Sequence, residues 1–171
     1  MIHIYSGDGK GKTTAAAGIA IRAAGAGMLV CFCQFLKNGT SSEIALLRSI
    51  DGIKVSCCEE CNKFTFEMND EERSAVLKRH NEMLSEAKNI IEKASAVMIV
   101  LDEFFGAYNT GLLDRSCAEY LVLNCPENIE LVLTGREPAQ IFCEAADYHS
   151  EIRSIRHPYE NGLPARRGIE Y

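Results

Sequence analysis

No apolar stretch in these 171 residues approaches the ~20 that a membrane-spanning helix needs. The run Ala96–Leu101 reads instead as a buried strand. No basic segment followed by an apolar core and a cleavage site opens the chain, since Met1 leads straight into strand-like residues, so a cytoplasmic location is expected. An excess of positive charge is missing too. Eighteen basic against twenty-four acidic residues leave a formal charge of −6, which argues against a general nucleic-acid or anionic-membrane surface and points to a small-molecule partner. Internal repeats, low-complexity tracts and linkers are also absent, and a single domain over 1–171 is expected, long enough to bury about 70% of its unfolded surface.

Cysteine is not scarce, with eight in the chain, but the partners of a disulfide or zinc framework are. Cys58-Glu-Glu-Cys61 has C-x2-C spacing, yet no second such pair and no paired histidines follow, so loop or semi-buried thiols are expected around Cys57, Cys58 and Cys61. Cys31 and Cys33 alternate in a strand and face one side.

What the sequence does have is a phosphate-gripping turn. Ser6-Gly-Asp-Gly-Lys-Gly-Lys-Thr-Thr14 lies between the strand-like Ile2–Tyr5 and the helical Ala15–Arg22. Glycines let backbone N–H groups converge on an anion, the helix dipole points its positive end there, Lys12 adds a charge and Thr13 offers a hydroxyl to Mg²⁺. Ser6 stands at the first glycine position of the Gly-x4-Gly-Lys-[Ser/Thr] pattern, and Lys10 is an extra lysine within the loop.

A second element has the same orientation. Val97–Leu101 is a buried strand delivering Asp102 and Glu103 to the C-terminal edge of a sheet, in the Walker B manner, where carboxylates order Mg²⁺. Leu133-Thr-Gly-Arg136 ends another strand, and Arg136 either reaches phosphate or caps that strand end.

Strands are predicted at Ile2–Tyr5, Met28–Phe35, Ile53–Ser56, Ala96–Leu101, Ile129–Thr134 and Ser150–Ile155, with helices between most of them. This alternation implies an α/β fold with a mostly parallel central sheet flanked by helices on both faces. The first helix runs from about Lys12 to Ala24 and ends at Gly25 and Gly27. Ser41 or Ser42 caps a short helix, and Asn69 caps a long one to about Lys93. The stripe Val76, Leu77, His80, Met83, Leu84, Ala87, Ile90 and Ile91 is its packing face, so His80 reads as a core histidine. Arg153, Arg156, Arg166 and Arg167 make the C-terminal stretch basic, either as a solvated tail or as a wall beside a bound anion. These features leave three readings open: group transfer from a nucleotide, an ATPase or small-molecule kinase cleaving a β–γ phosphoanhydride, and a non-catalytic nucleotide-binding regulator.

In order along the chain, Gly7–Thr14, Arg22-Ala-Ala-Gly25, Gln34-Phe-Leu-Lys37, Phe64-Thr-Phe66, Val100–Glu103, Leu133–Arg136, Arg156-His-Pro-Tyr159 and Gly168-Ile-Glu170 resemble the P-loop cobalamin (corrinoid) adenosyltransferase family, the cob(I)yrinic acid a,c-diamide adenosyltransferases. The resemblance implies a P-loop NTPase fold of RecA-like type and transfer of the 5′-deoxyadenosyl group of ATP to Co(I) of a corrinoid, with inorganic triphosphate leaving. It implies that Gly7, Gly9, Lys10, Gly11, Lys12 and Thr14 hold phosphates, with Asp8 in the same nucleotide-binding loop. Thr13 and Glu103, with Asp102, would hold Mg²⁺, Arg22 would help position the nucleotide, and Phe64 and Phe66 would lie beneath the corrin. Lys12, Thr13 and Glu103 would carry the catalysis. A flavoprotein reductant and a homodimer are also implied. Phe66 departs from the tryptophan common in relatives, Gly106 stands where an aromatic is frequent, and many relatives carry a further N-terminal segment.

Overall fold

A computed structural model describes residues 1–158 and 162–169. Tyr159 and Glu170, two residues of the resembling motifs, lie outside the described residues. The elements alternate: β1 (Ile2–Ser6), α1 (Lys12–Gly25), β2 (Val30–Gln34), α2 (Ser42–Ser49), β3 (Ile53–Cys57), α3 (Asp70–Glu92), β4 (Met98–Asp102), α4 (Phe104–Asn109), α5 (Arg115–Leu123), β5 (Glu130–Thr134), α6 (Gln140–Ala145) and β6 (Tyr148–Glu151). The six strands form one sheet in the order β3-β2-β4-β5-β1-β6. Every pairing is parallel, so the expected mostly parallel sheet is parallel throughout.

Strand residues sort onto the two faces with period two. Val30, Phe32, Met98, Val100 and Val132 pack with Ala16, Ala17, Ala20 and Ala23 of α1 and with Ile44 and Leu47 of α2. Cys31, Cys33, Ile99, Leu101, Leu131 and Leu133 face the opposite layer, with Val76, Met83 and Leu84 of α3, Phe104 and Phe105 of α4, and Phe142 of α6. The alanine face of α1 lets that helix lie close to the strands it crosses, which aims its N-terminus at the C-terminal sheet edge.

Several predicted boundaries move, and β2 and β4 are Val30–Gln34 and Met98–Asp102 rather than Met28–Phe35 and Ala96–Leu101. The last strand is Tyr148–Glu151 rather than Ser150–Ile155, because Ile152 leaves the sheet to bond the loop after β1. Gly25 stays helical within α1, and Gly27 takes the left-handed conformation at φ 82°. Asn69 does cap α3, in a capping box: its side chain accepts from Glu72 N–H and the Glu72 carboxylate accepts from Asn69 N–H. Ser41 occupies the N-cap of α2 without a side-chain bond to it.

All eight cysteines are free thiols. Cys58 and Cys61 lie in the loop after β3, as expected, but both are buried, as is Cys57, which ends that strand. Cys57 joins the α1–α2 layer, whereas Cys58 and Cys61 join the α3 layer, beneath His80. His80 is a satisfied core histidine, with Nδ1 2.9 Å from the Leu112 carbonyl.

Candidate active site

The C-terminal ends of β1, β4 and β5 meet at one cleft of about 930 Å³, lined by the Asp8–Thr13 loop, Lys37, Phe64, Glu103 and Arg136. The loop's geometry departs from a plain anion nest. Gly9 N–H donates to Ile152 O at 2.8 Å, and Ile152 N–H donates to Ser6 O at 2.8 Å. A Cβ on Gly7 or Gly9 would run into the Ile152–Arg153 backbone, so these glycines admit a crossing chain segment. Asp8 Oδ1 accepts from Ser154 N–H at 3.0 Å, and this backbone bond holds its carboxyl below the usual range. Ser6, at the first glycine position, is buried with its hydroxyl 2.8 Å from His149 Nε2 on β6. The groups left facing the cleft are therefore the first-turn amides of α1, Gly11 at φ 119° ahead of them, and the two lysines. Lys12 Nζ donates to Gly9 O at 2.8 Å, and burial lowers its pKa.

Asp102 is fully buried and is held on both oxygens. Thr134 Oγ1 donates to Oδ1 at 2.7 Å, while Gln34 Nε2 at 3.0 Å and Thr13 Oγ1 at 3.2 Å donate to Oδ2. Thr134 also accepts from Glu103 N–H at 2.9 Å, so the end of β5 ties the Walker carboxylates to the intervening strand. Glu103 sits in the left-handed region at φ 59°, a conformation that costs a non-glycine residue on the order of 1 kcal/mol or more and that turns the chain directly into α4.

The residue that motif reading alone did not assign is Lys37. Its ammonium lies 3.3 Å from Thr13 Oγ1, 3.5 Å from Glu103 Oε1 and 3.8 Å from Asp102 Oδ2. Burial pulls its pKa down, but the two carboxylates outweigh that and hold it above the usual range. Lys37 closes the quoted stretch Gln34–Lys37, and its position just past a strand end was the available signal. Thr134 and Gln34 had none, because a threonine or glutamine ending a strand is unremarkable until its neighbours are known.

Other expected residues fall in different places. Phe64 and Phe66 stack at 5.5 Å between centroids and 4° between planes, exposed by 71% and 82%. Phe64 lines the cleft and Phe66 does not. Lys10, Thr14 and Arg136 line the cleft as well. Arg22 is exposed on the last turn of α1 and does not line it. Arg153 of the basic C-terminal stretch is exposed and paired with Glu151 at 2.6 Å, and it is His157, Gly168 and Ile169, not the four arginines, that line the cleft. At Gly106 a Cβ would approach Leu36 Cδ1 to 2.8 Å, so a larger residue there needs only that leucine tip to shift.

The sequence model of the ATP:corrinoid adenosyltransferase family BtuR/CobO/CobP matches residues 1–171. The chain belongs to this family. It is 30% identical over 171 residues to a corrinoid adenosyltransferase of Escherichia coli K12, covering 100% of this chain and 85% of the relative. It is 30% identical over 174 residues to a corrinoid adenosyltransferase of Pseudomonas aeruginosa, covering 100% and 83%. The corrinoid adenosyltransferase CobA of Salmonella typhimurium is likewise 30% identical over 174 residues, covering 100% and 85%. The protein is thus an enzyme of corrinoid adenosylation on a P-loop NTPase-like α/β fold. No helix among the described residues is long and apolar enough to cross a membrane.

Proposed function

We propose that this single P-loop domain transfers the 5′-deoxyadenosyl group of ATP to Co(I) of a corrinoid and releases inorganic triphosphate. The observation that carries this reading is the pairing, in one cleft, of a glycine-rich loop carrying Lys10 and Lys12 with an exposed aromatic, Phe64. Burying one phenyl ring is worth roughly 1.5–3 kcal/mol. Two stacked rings left in water therefore suit a flat, largely apolar ligand such as a corrin face.

In this reading the first-turn amides of α1, Lys10, Lys12, Thr14 and Arg136 hold the three phosphates, and C5′ points toward the Phe64 side. The Co(I) electron pair forms the Co–C bond, the C5′–O bond breaks, and its electrons leave on triphosphate. Catalysis is then neutralisation of the departing charge by fixed donors. The donor set of Thr13 hydroxyl and Asp102 and Glu103 carboxylates fits Mg²⁺, a hard cation, and the Lys37 ammonium among those oxygens is a stand-in for it. Gln34, whose Nε2 donates to Asp102, keeps a buried amide oxygen with no hydrogen-bond partner beside this cluster's carboxylate. Mg²⁺ would supply charge neutralisation of the triphosphate. Lys37 would then turn from the carboxylates to the phosphates. The reading includes a separate flavoprotein reductant, a homodimer and a cytoplasmic location.

Incubation with ATP, Mg²⁺ and chemically reduced cobalamin tests the proposal. Triphosphate and a cobalt–carbon bond in equal amounts are expected. ADP and phosphate as the nucleotide products, or no turnover, would end it.

A further inference from the structure

The Cys58–Cys61 pair and His80 are used by none of the chemistry above, yet they converge. The two sulfurs and a ring nitrogen of His80 all lie within 4.8 Å of one another, and all three residues are buried. We propose that Cys58, Cys61 and His80 form a binding site for a thiophilic divalent metal ion of the Zn²⁺ class, which pins the Phe64–Phe66 loop to α3.

The geometry is near what such an ion needs. Zn–S of about 2.3 Å and Zn–N of about 2.0 Å in a tetrahedron set ligand-to-ligand spans of roughly 3.5–3.8 Å. Cys61 Sγ is 3.6 Å from His80 Nε2, already at such a span, and 3.0 Å from Cys58 Sγ, so the sulfur pair must open. The C-x2-C segment is already folded as a tight turn, with Cys61 N–H donating to Cys58 O at 3.0 Å. His80 Nδ1–H donates to the Leu112 carbonyl, which leaves Nε2 as the lone-pair nitrogen on the side of Cys61, the outer-shell arrangement typical of metal-bound histidine. Leu36 N–H donates to Nε2 at 3.2 Å and also reaches the Cys61 sulfur, so it keeps an acceptor when a metal takes the nitrogen. Glu60 Oε2, 3.7 Å from Cys58 Sγ, or a water fills the fourth position.

The location gives the ion a consequence. Cys61 is three residues from Phe64 and lines the same cleft. Between Cys61 and α3, Met68 packs against the core, and the Phe64–Phe66 stretch itself is held by polar contacts such as Arg73 Nη1 to Thr65 O at 3.2 Å and the exposed Lys63–Glu72 ion pair. An ion shared by Cys58, Cys61 and His80 anchors that segment to the core.

The test is Co²⁺ titration of the full chain, kept reduced with a phosphine, followed by absorbance. One equivalent should give thiolate-to-cobalt charge-transfer bands, and Zn²⁺ should displace them. Cobalt held by the oxygen cluster at Asp102 gives no such bands. Cys58→Ser and Cys61→Ser should each weaken cobalt binding more than about 100-fold, since even outer-shell partners are worth roughly 10–100-fold. Cys117→Ser, at an exposed thiol, should leave it unchanged. The proposal is overturned by a wild-type protein without charge-transfer bands, by bands that persist in both cysteine variants, or by a Cys58–Cys61 disulfide that forms despite one equivalent of Zn²⁺. The wild-type spectrum decides even where a variant does not fold. It needs neither ATP nor corrinoid, so this site and the adenosyl-transfer reading fail separately.

Discussion

Lys37 Nζ sits 3.3 Å from Thr13 Oγ1, which places the ammonium of the β2 edge against the hydroxyl that opens α1. A lysine in that place competes with a metal ion for the same oxygens. Two unit charges ~4 Å apart near a protein surface interact by up to about 4 kcal/mol, reduced toward about 1 kcal/mol where solvent screens them. Lys37→Met should therefore bind Mn²⁺ about fivefold more tightly than wild type without nucleotide, measured by electron paramagnetic resonance, while binding ATP more weakly. Unchanged Mn²⁺ affinity would show that the lysine and the ion use different places.

Phe64 is exposed by 71%, so little folding energy rests on it. Phe64→Ala should change stability by less than about 0.5 kcal/mol, as at ordinary surface positions. It should impair adenosylation that starts from Co(II) cobalamin more than adenosylation from preformed Co(I). Equal losses in the two assays would remove the ring from any role in exposing the cobalt to reduction.

Gly7 has φ 104°, and the Ile152 carbonyl occupies the place of its missing side chain. Gly7→Ala should destabilise the protein by about 1–3 kcal/mol or more and release the Ile152 contacts to the loop. Urea denaturation and amide exchange at Ile152 would report both effects. Gly18, inside α1 with open space at its Cβ position, is the contrasting site: Gly18→Ala should stabilise by about 0.5–1 kcal/mol.

The capping box at Asn69 and Glu72 carries a pH signature. Asn69→Ala should cost about 1 kcal/mol. The Glu72 carboxyl is held below its ordinary 4.5 by its hydrogen bond from Lys63 and by Asn69 N–H. Its contribution is therefore complete above about pH 4.5 and is lost as pH falls through the lower folded value. Urea midpoints of wild type and Glu72→Gln should converge in acid and separate above that pH. A gap that stays constant from acid to neutral pH would place the Glu72 effect outside its ionisation.

Much of this was legible along the chain because the signals are local. A glycine-rich turn between an apolar strand and a helix, and a buried strand ending in Asp102-Glu103, are covalently contiguous, and each commits nearby backbone to one geometry. Alternating apolar strands and helices likewise specify the parallel sheet, since hydrophobic period and connection length are read residue by residue. The ordered motifs from Gly7 to Gly168 were enough to indicate the family to which the chain belongs.

What tertiary structure alone decided are the contacts between residues far apart in sequence. Gly9 spends its N–H on Ile152, Lys37 settles among Thr13, Asp102 and Glu103, and His80 arrives over the Cys58–Cys61 turn from the middle of a helix. Spacing along a chain says which face a side chain takes, but not which loop the folded sheet brings beneath it. That choice belongs to strand order, and the β3-β2-β4-β5-β1-β6 arrangement made it here.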